Sequence, residues 1–257
     1  MKIGCVLTAC NEKPLYADFI PVFVDAWKAL FPNITVRIIY VSNDNVPDKF
    51  SDYKEHIIHY KPPHNVSSAF VSQYIRILYP SIIDCDGAII ISDIDMLPMN
   101  TDYYTLPLEK IPEDKFVIMR SHVLVKLKQY PICYNVAHQN TWSALNNIGS
   151  EDDITAKLCT VFSNITYVDG DKKQGWSVDQ IDLYNMVQSS VKVSIVFLTD
   201  KHTNFKRINR KYVRNASDDK IISGNYSDYH ALRPYYKFKE ENDRIVQALK
   251  KINTFNC

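Results

Sequence analysis

Two carboxylates one residue apart, Asp93 and Asp95, follow the apolar run Ala88–Ile91, with Ser92 between run and pair. Residues two apart on a strand point to one side, roughly 7 Å apart along the chain. Two carboxylates at about 6 Å in an effective dielectric near 20 repel by roughly 3 kcal/mol, so water or a cation has to offset them. Oxygen donors of this kind suit a hard divalent ion. The carboxyl end of a buried strand is also where ligands gather in open α/β sheets. The plain alternative is a pair of solvated loop aspartates.

Other residues carry complementary chemistry. Asp179 and Gln180 open a helical pattern, where free N–H groups and the helix dipole favour a carboxylate or a bound anion. Asp179 is then a candidate base for a hydroxyl, or simply a helix-start residue. Trp176 beside them offers an aromatic face for stacking on a ligand, or a core ring. Arg76 could add a preorganised positive charge. In the spacing His230-x-x-Arg233-Pro234, proline fixes its own φ and keeps Arg233 extended. His202 with Lys206 offers the same two residue types earlier in the chain. Asp44, after the second expected strand, could accept hydrogen bonds from a ligand, or be a plain turn residue.

Composition narrows the classes. The 257 residues are 46% hydrophobic and 23% charged, ordinary for a globular protein, with a net charge of +1 and no long basic run. Nucleic acid is therefore not an expected partner. Only 6 glycines occur, and they form no phosphate-cradling motif. Six cysteines show no metal-type spacing, so reduced thiols and a cytoplasmic location are expected. No apolar run reaches transmembrane length, and because a strand is expected almost from Met1, no signal peptide is expected. Five N-x-S/T triplets, at Asn33, Asn65, Asn164, Asn215 and Asn225, would be acceptors in a secretory lumen.

These residues need elements to position them. Strands are expected over 2–9, Thr35–Ser42, His56–His59 and Ala88–Ile91, with helices from Tyr16 to Leu30 and from Ser67 or Ser68 to Leu78. That alternation predicts a mostly parallel α/β sheet covered by helices. Beyond Asn100, strands are expected at Phe116–Met119, Val123–Leu127, Tyr134–Ala137 and Val191–Leu198. A brief helix is expected over Thr141–Asn147, and another over Ser177–Val187 capped by Ser177. The stretch Thr199–Phe238 reads as loop, and Glu240–Ile252 as a terminal amphipathic helix packing through Ile245, Leu249 and Ile252.

Taken together, the Arg76 helix, the Asp93-x-Asp95 strand end, the segment Trp176–Asp182 and the segment Asp228–Pro234 resemble the GT-A nucleotide-sugar glycosyltransferases, in particular glycogenin-like enzymes of family 8. The resemblance spans roughly residues 1–235. It lacks that family's late Gly and Lys-Pro-Trp pattern.

The resemblance implies a single GT-A domain over 1–257, with a nucleotide-sugar half over 1–100 and an acceptor half over 101–257. It implies Mn2+ or Mg2+ held by Asp93, Asp95 and His230, with His202 as the alternative third ligand. A UDP- or GDP-sugar would lie against Thr8, Ala9, Asn11, Asp44, Arg76, Ser92, Asp93, Ile94 and Arg233. The acceptor, a carbohydrate-bearing molecule, would meet Trp176 and Asn135. Asp179 would serve as base if configuration inverts, and Gln180 would face the sugar if it is retained. A phosphohydrolase of the haloacid-dehalogenase type also places Asp-x-Asp after an apolar strand, and a catalytically inactive sugar-nucleotide-binding protein would keep the same motifs.

Overall fold

The computed structural model describes residues 1–170 and 172–255, with side chains as far as Lys251. Its strands are β1 (Ile3–Asn11), β2 (Thr35–Val41), β3 (Ile57–Tyr60), β4 (Ala88–Ile91), β5 (Met96–Pro98), β6 (Lys115–Ile118), β7 (Asn135–Ala137), β8 (Ser194–Phe197), β9 (Arg207–Ile208) and β10 (Asp228–His230). Seven of them form one sheet in the order β3-β2-β1-β4-β7-β6-β8, and β5-β10-β9 form a small second sheet. In the large sheet only β7 runs against its neighbours. The mostly parallel, helix-covered α/β sheet expected from the alternation is therefore present.

Period-two side-chain alternation explains how that sheet is buried. Val6, Ile38, Ile90 and Val136 enter one apolar cluster, while Leu7, Ile39, Ile91 and Ala137 enter the other. The helices Ile20–Leu30 and Lys239–Phe255 cover the first face through Phe23, Trp27, Ile245 and Leu249. The helices Ser68–Leu78, Gln139–Asn146, Glu151–Ser163 and Val178–Ser189 cover the second. All four residues of β4 are 0% exposed, and β4 sits in the middle of the sheet. Each fully buried isoleucine there contributes roughly 2–3 kcal/mol, which anchors the end of the strand that carries Asp93 and Asp95. Gly87 (φ +102) turns the chain into β4. Gly4 lets β1 pass the Asp86 carbonyl, where a Cβ would lie 1.5 Å from that oxygen.

Several elements differ from expectation. The single helix from Tyr16 to Leu30 is a short turn, Pro14–Ala17, followed by a separate helix, Ile20–Leu30. Pro21 accounts for the break, because its ring would collide with the Ala17 carbonyl in a continuous helix. Val123–Leu127 is no strand. Leu124 and Lys128 take left-handed conformations around a single turn, Val125–Leu127. A helix over Glu151–Ser163 had not been expected, although the Ser150 hydroxyl accepts from Asp153 N and three acidic residues fill its first turn. Ser177 precedes Val178–Ser189 but makes no side-chain cap. The terminal helix packs through Ile245 and Leu249, whereas the Ile252 side chain lies outside the described residues.

The small sheet joins distant parts of the chain. Met96 pairs with His230, and Ala231 N donates to Asp95 O at 2.9 Å. Asp95 and His230, 135 positions apart in the numbering, thereby become neighbours. The supposed loop over Thr199–Phe238 thus contributes two strands to this junction.

Candidate active site

A cleft of about 840 Å3 opens where β1, the β4–β5 turn and the helix Ser68–Leu78 meet the loops around β9 and β10. Ala9, Asn11, Arg76, Asp93, Ile94 and Asp95 line it from the first hundred residues. From the later part come Trp176, Asp179, Gln180, His230 and Arg233. Five other residues expected at the site stand elsewhere. Thr8, Ser92 and Asn135 are each 0% exposed beneath the cleft, with the Asn135 amide donating to the carbonyls of Pro131 and Ile132. Asp44 is exposed in a turn, its N–H donating to the Ser42 hydroxyl. His202 and Lys206 line a separate hollow of about 340 Å3. There the His202 ring closes a capping box with Thr199, accepting from its N–H at 3.0 Å.

Arg76 ties the two acidic motifs together. Its guanidinium pairs with Asp93, and its Nη2 lies 3.1 Å from Asp179 Oδ2. Burial pushes the Asp179 carboxyl up to about 6, against the lowering influence of Arg76 and of the Gln180 N–H that donates to it at 2.9 Å. Gln180 lies beside it with its Oε1 buried and without a hydrogen-bond partner. The other oxygen of Asp93 accepts from the Cys133 thiol at 3.4 Å. That thiol is itself pushed up by burial, so it stays protonated and donates.

Asp95 is surrounded by positive charge. Its Oδ2 meets the Arg210 guanidinium, Arg233 Nε at 3.2 Å and His230 Nε2 at 3.6 Å. Burial alone would raise this carboxyl, but His230 and the two arginines hold it well below the usual carboxylate range. Arg233 also donates to the Tyr16 hydroxyl at 2.6 Å, with its guanidinium 4.9 Å from the centre of that ring. Arg120, Arg207, Arg210, Cys133 and Tyr16 all line the cleft and were missed in the sequence. The dense basic segment Arg207-Ile208-Asn209-Arg210 was the available signal.

Among the described residues, no group of three or more His, Cys, Asp or Glu side chains is gathered tightly enough to hold a metal ion. The donor chemistry nevertheless fits a hard divalent cation in part. Asp95 Oδ2 and His230 Nε2 are 3.6 Å apart, a span that two donors about 2.1 Å from one ion can cover. Asp93 lines the same cleft but is turned to Arg76. A three-residue shell therefore requires Asp93 to leave Arg76.

Solved structures share this architecture. The galactosyltransferase LgtC, in complex with donor and acceptor sugar analogues, matches over 95% of each chain at 13% identity with a TM-score of 0.53. The apo glycosyltransferase GlyE of Streptococcus pneumoniae TIGR4 matches over 100% of this chain and 64% of its own, at 12% identity and a TM-score of 0.50. At such identities it is the fold that is shared, and the fold is that of the GT-A glycosyltransferases. No protein-family model and no curated protein matches the sequence.

Proposed function

We propose that the protein is a glycosyltransferase moving a sugar from a UDP- or GDP-sugar to a hydroxyl of a carbohydrate-bearing acceptor. The observation that carries this is the Arg76 bridge, which unites Asp93 with Asp179 inside one cleft of a GT-A fold. The proposed organisation is one domain over 1–257, with a nucleotide-sugar half over 1–100 and an acceptor half over 101–257 whose late segment reaches the donor's phosphates through His230 and Arg233. Among the described residues no helix is long and apolar enough to cross a membrane, and a cytoplasmic setting is proposed with it.

Charge balance supports a cation partner. Five arginines line the cleft, and each faces a carboxylate: Arg76 faces Asp93 and Asp179, Arg120 faces Asp200, Arg207 faces Asp228, and Arg210 and Arg233 share Asp95. Among the described residues, five guanidinium charges against these five carboxylates leave no net surplus for a diphosphate. Mn2+ or Mg2+ would be held by Asp93, Asp95 and His230, and when bound supplies Lewis-acid stabilisation of the departing diphosphate oxygens.

The chain's own residues have the remaining roles. Ala9 and Asn11 lie where the end of β1 would meet the base, and backbone groups do most of the reading there. Arg233, braced by Tyr16, presents a fixed positive charge to the phosphates. Asp179 is mostly ionised at neutral pH and can take the acceptor's proton if configuration inverts. If configuration is retained, Gln180 or a neighbour would face the sugar instead. Trp176 provides an apolar face for the acceptor ring.

Incubation with a panel of UDP- and GDP-sugars plus Mn2+, with free nucleoside diphosphate as the readout, tests the proposal. Release that depends on both Mn2+ and Asp95 supports it. Release of inorganic phosphate from phosphate esters without sugar transfer would instead favour the phosphohydrolase alternative.

A further inference from the structure

We infer that Arg210 is a second diphosphate-binding residue, held on Asp95 until a divalent cation takes that carboxylate. The inference rests on the proposed glycosyltransferase function and adds a residue to its donor site. Asp95 is the only one of the five cleft-facing or cleft-supporting carboxylates just described that is shared by two arginines. Two guanidinium groups on one carboxylate make a local excess of positive charge at Asp95, before His230 is counted, although arginines and aspartates balance over the whole cleft.

The geometry says which guanidinium is available. Arg233 has a second partner in the Tyr16 hydroxyl and lies over its ring. Arg210 uses Nε to donate to Ala231 O at 2.8 Å, which fixes the direction of its fork and leaves the Nη side on Asp95. Its base is anchored as well. Arg207, three residues earlier, makes two hydrogen bonds of 2.8 and 2.6 Å to the fully buried Asp228, and β9 pairs with β10. Arg210 is thus held at its Nε, three residues after the anchored Arg207, while its side chain is 28% exposed towards the cleft.

A cation entering at Asp95 would take over the carboxylate that now neutralises Arg210. The released Nη groups would lie beside the ion and beside Arg233, where the phosphate oxygens have to be. A planar fork with two free N–H groups suits a diphosphate. Loss of a hydrogen bond to a charged group commonly costs about tenfold or more in affinity.

Calorimetric titration of UDP, GDP, UMP and GMP into the protein with Mn2+ tests this. The wild type is expected to bind one of the two diphosphates. Arg210→Gln should weaken that diphosphate at least tenfold while changing the corresponding monophosphate less than about twofold. Arg210→Lys keeps the charge but loses the fork, should recover part of the loss, and serves in its place if the Gln variant does not fold. Diphosphate binding within twofold of wild type in these variants overturns the inference and leaves the proposed function standing. Equal losses for mono- and diphosphate also overturn it, since Arg210 would then only brace the loop at Ala231. A wild type that binds neither diphosphate with Mn2+ overturns the proposed function itself, and this inference with it.

Discussion

Arg76 and Asp179, 103 positions apart, meet through Arg76 Nη2 and Asp179 Oδ2 at 3.1 Å, while the same guanidinium pairs with Asp93. The arginine is only 8% exposed and Asp179 2% exposed. Removing such a cation leaves two buried or half-buried carboxylates facing each other. Arg76→Ala should therefore destabilise the fold by about 3 kcal/mol, measured by urea unfolding near pH 7. A change under about 0.5 kcal/mol would show that the bridge contributes little in solution.

Asp179 also makes a pH signature. Its carboxyl rises from the usual 3.8 to about 6 because burial penalises the charge. The folded chain therefore binds more protons than the unfolded one between those values. Its contribution to stability is full below about 3.8 and is lost as pH climbs through about 6. Comparing the wild type with Asp179→Asn from pH 4 to 7, the stability difference should shift against the wild type by up to roughly 3 kcal/mol. Parallel curves across that range would contradict the shifted carboxyl. Under the proposed function with inversion, turnover should also fall as pH drops below about 6.

The two carboxylates of the motif should respond differently to removal. Asp95 is 3% exposed and holds Arg210, Arg233 and His230, so Asp95→Ala should cost about 3 kcal/mol of stability. Asp93 has a side chain 32% exposed, and its loss leaves Arg76 with Asp179, so Asp93→Ala should cost about 1 kcal/mol or less. Thermal melts of the two variants side by side give the order directly.

Metal binding should separate the two histidines. In the presence of Mn2+ and a nucleoside diphosphate, His230→Ala should lower metal affinity at least about tenfold. His202→Ala should leave it unchanged, because His202 faces a different hollow and caps a four-residue helix. Chelation with EDTA should abolish the diphosphate affinity that depends on Asp95. The reverse order for the two histidines would move the third donor to the earlier loop.

The buried strand of the motif sets the position of everything above it. Ile90 is 0% exposed within the first apolar cluster. Ile90→Ala should destabilise by about 2–5 kcal/mol through lost burial and a residual cavity. Denaturant unfolding checks it, and a cost below about 1 kcal/mol would place β4 outside the core.

Much of this was legible in the chain. Local apolar patterning is enough to mark β1, β2, β4 and the helix Ser68–Leu78, the strands as short apolar runs and the helix by a face that repeats every 3.6 residues. The uninterrupted Ala88–Ile91 marks a strand covered on both sides, and Asp93-x-Asp95 at its end marks a candidate site. Arg76, Asp179, His230 and Arg233 stand out by type and motif. Tertiary structure decided which of them meet. His230 rather than His202 stands beside Asp95 because β5 pairs with β10 across more than a hundred residues, which no local pattern encodes. The clustering of Arg207 and Arg210 under the same cleft likewise depends on the two-residue strand β9, too short to leave a periodic signal. Asp44 shows the converse, since a suitable residue type after a strand turned out to face solvent. Residue type and period report what a segment can do locally, whereas the partner of a charge is set by long-range pairing and burial.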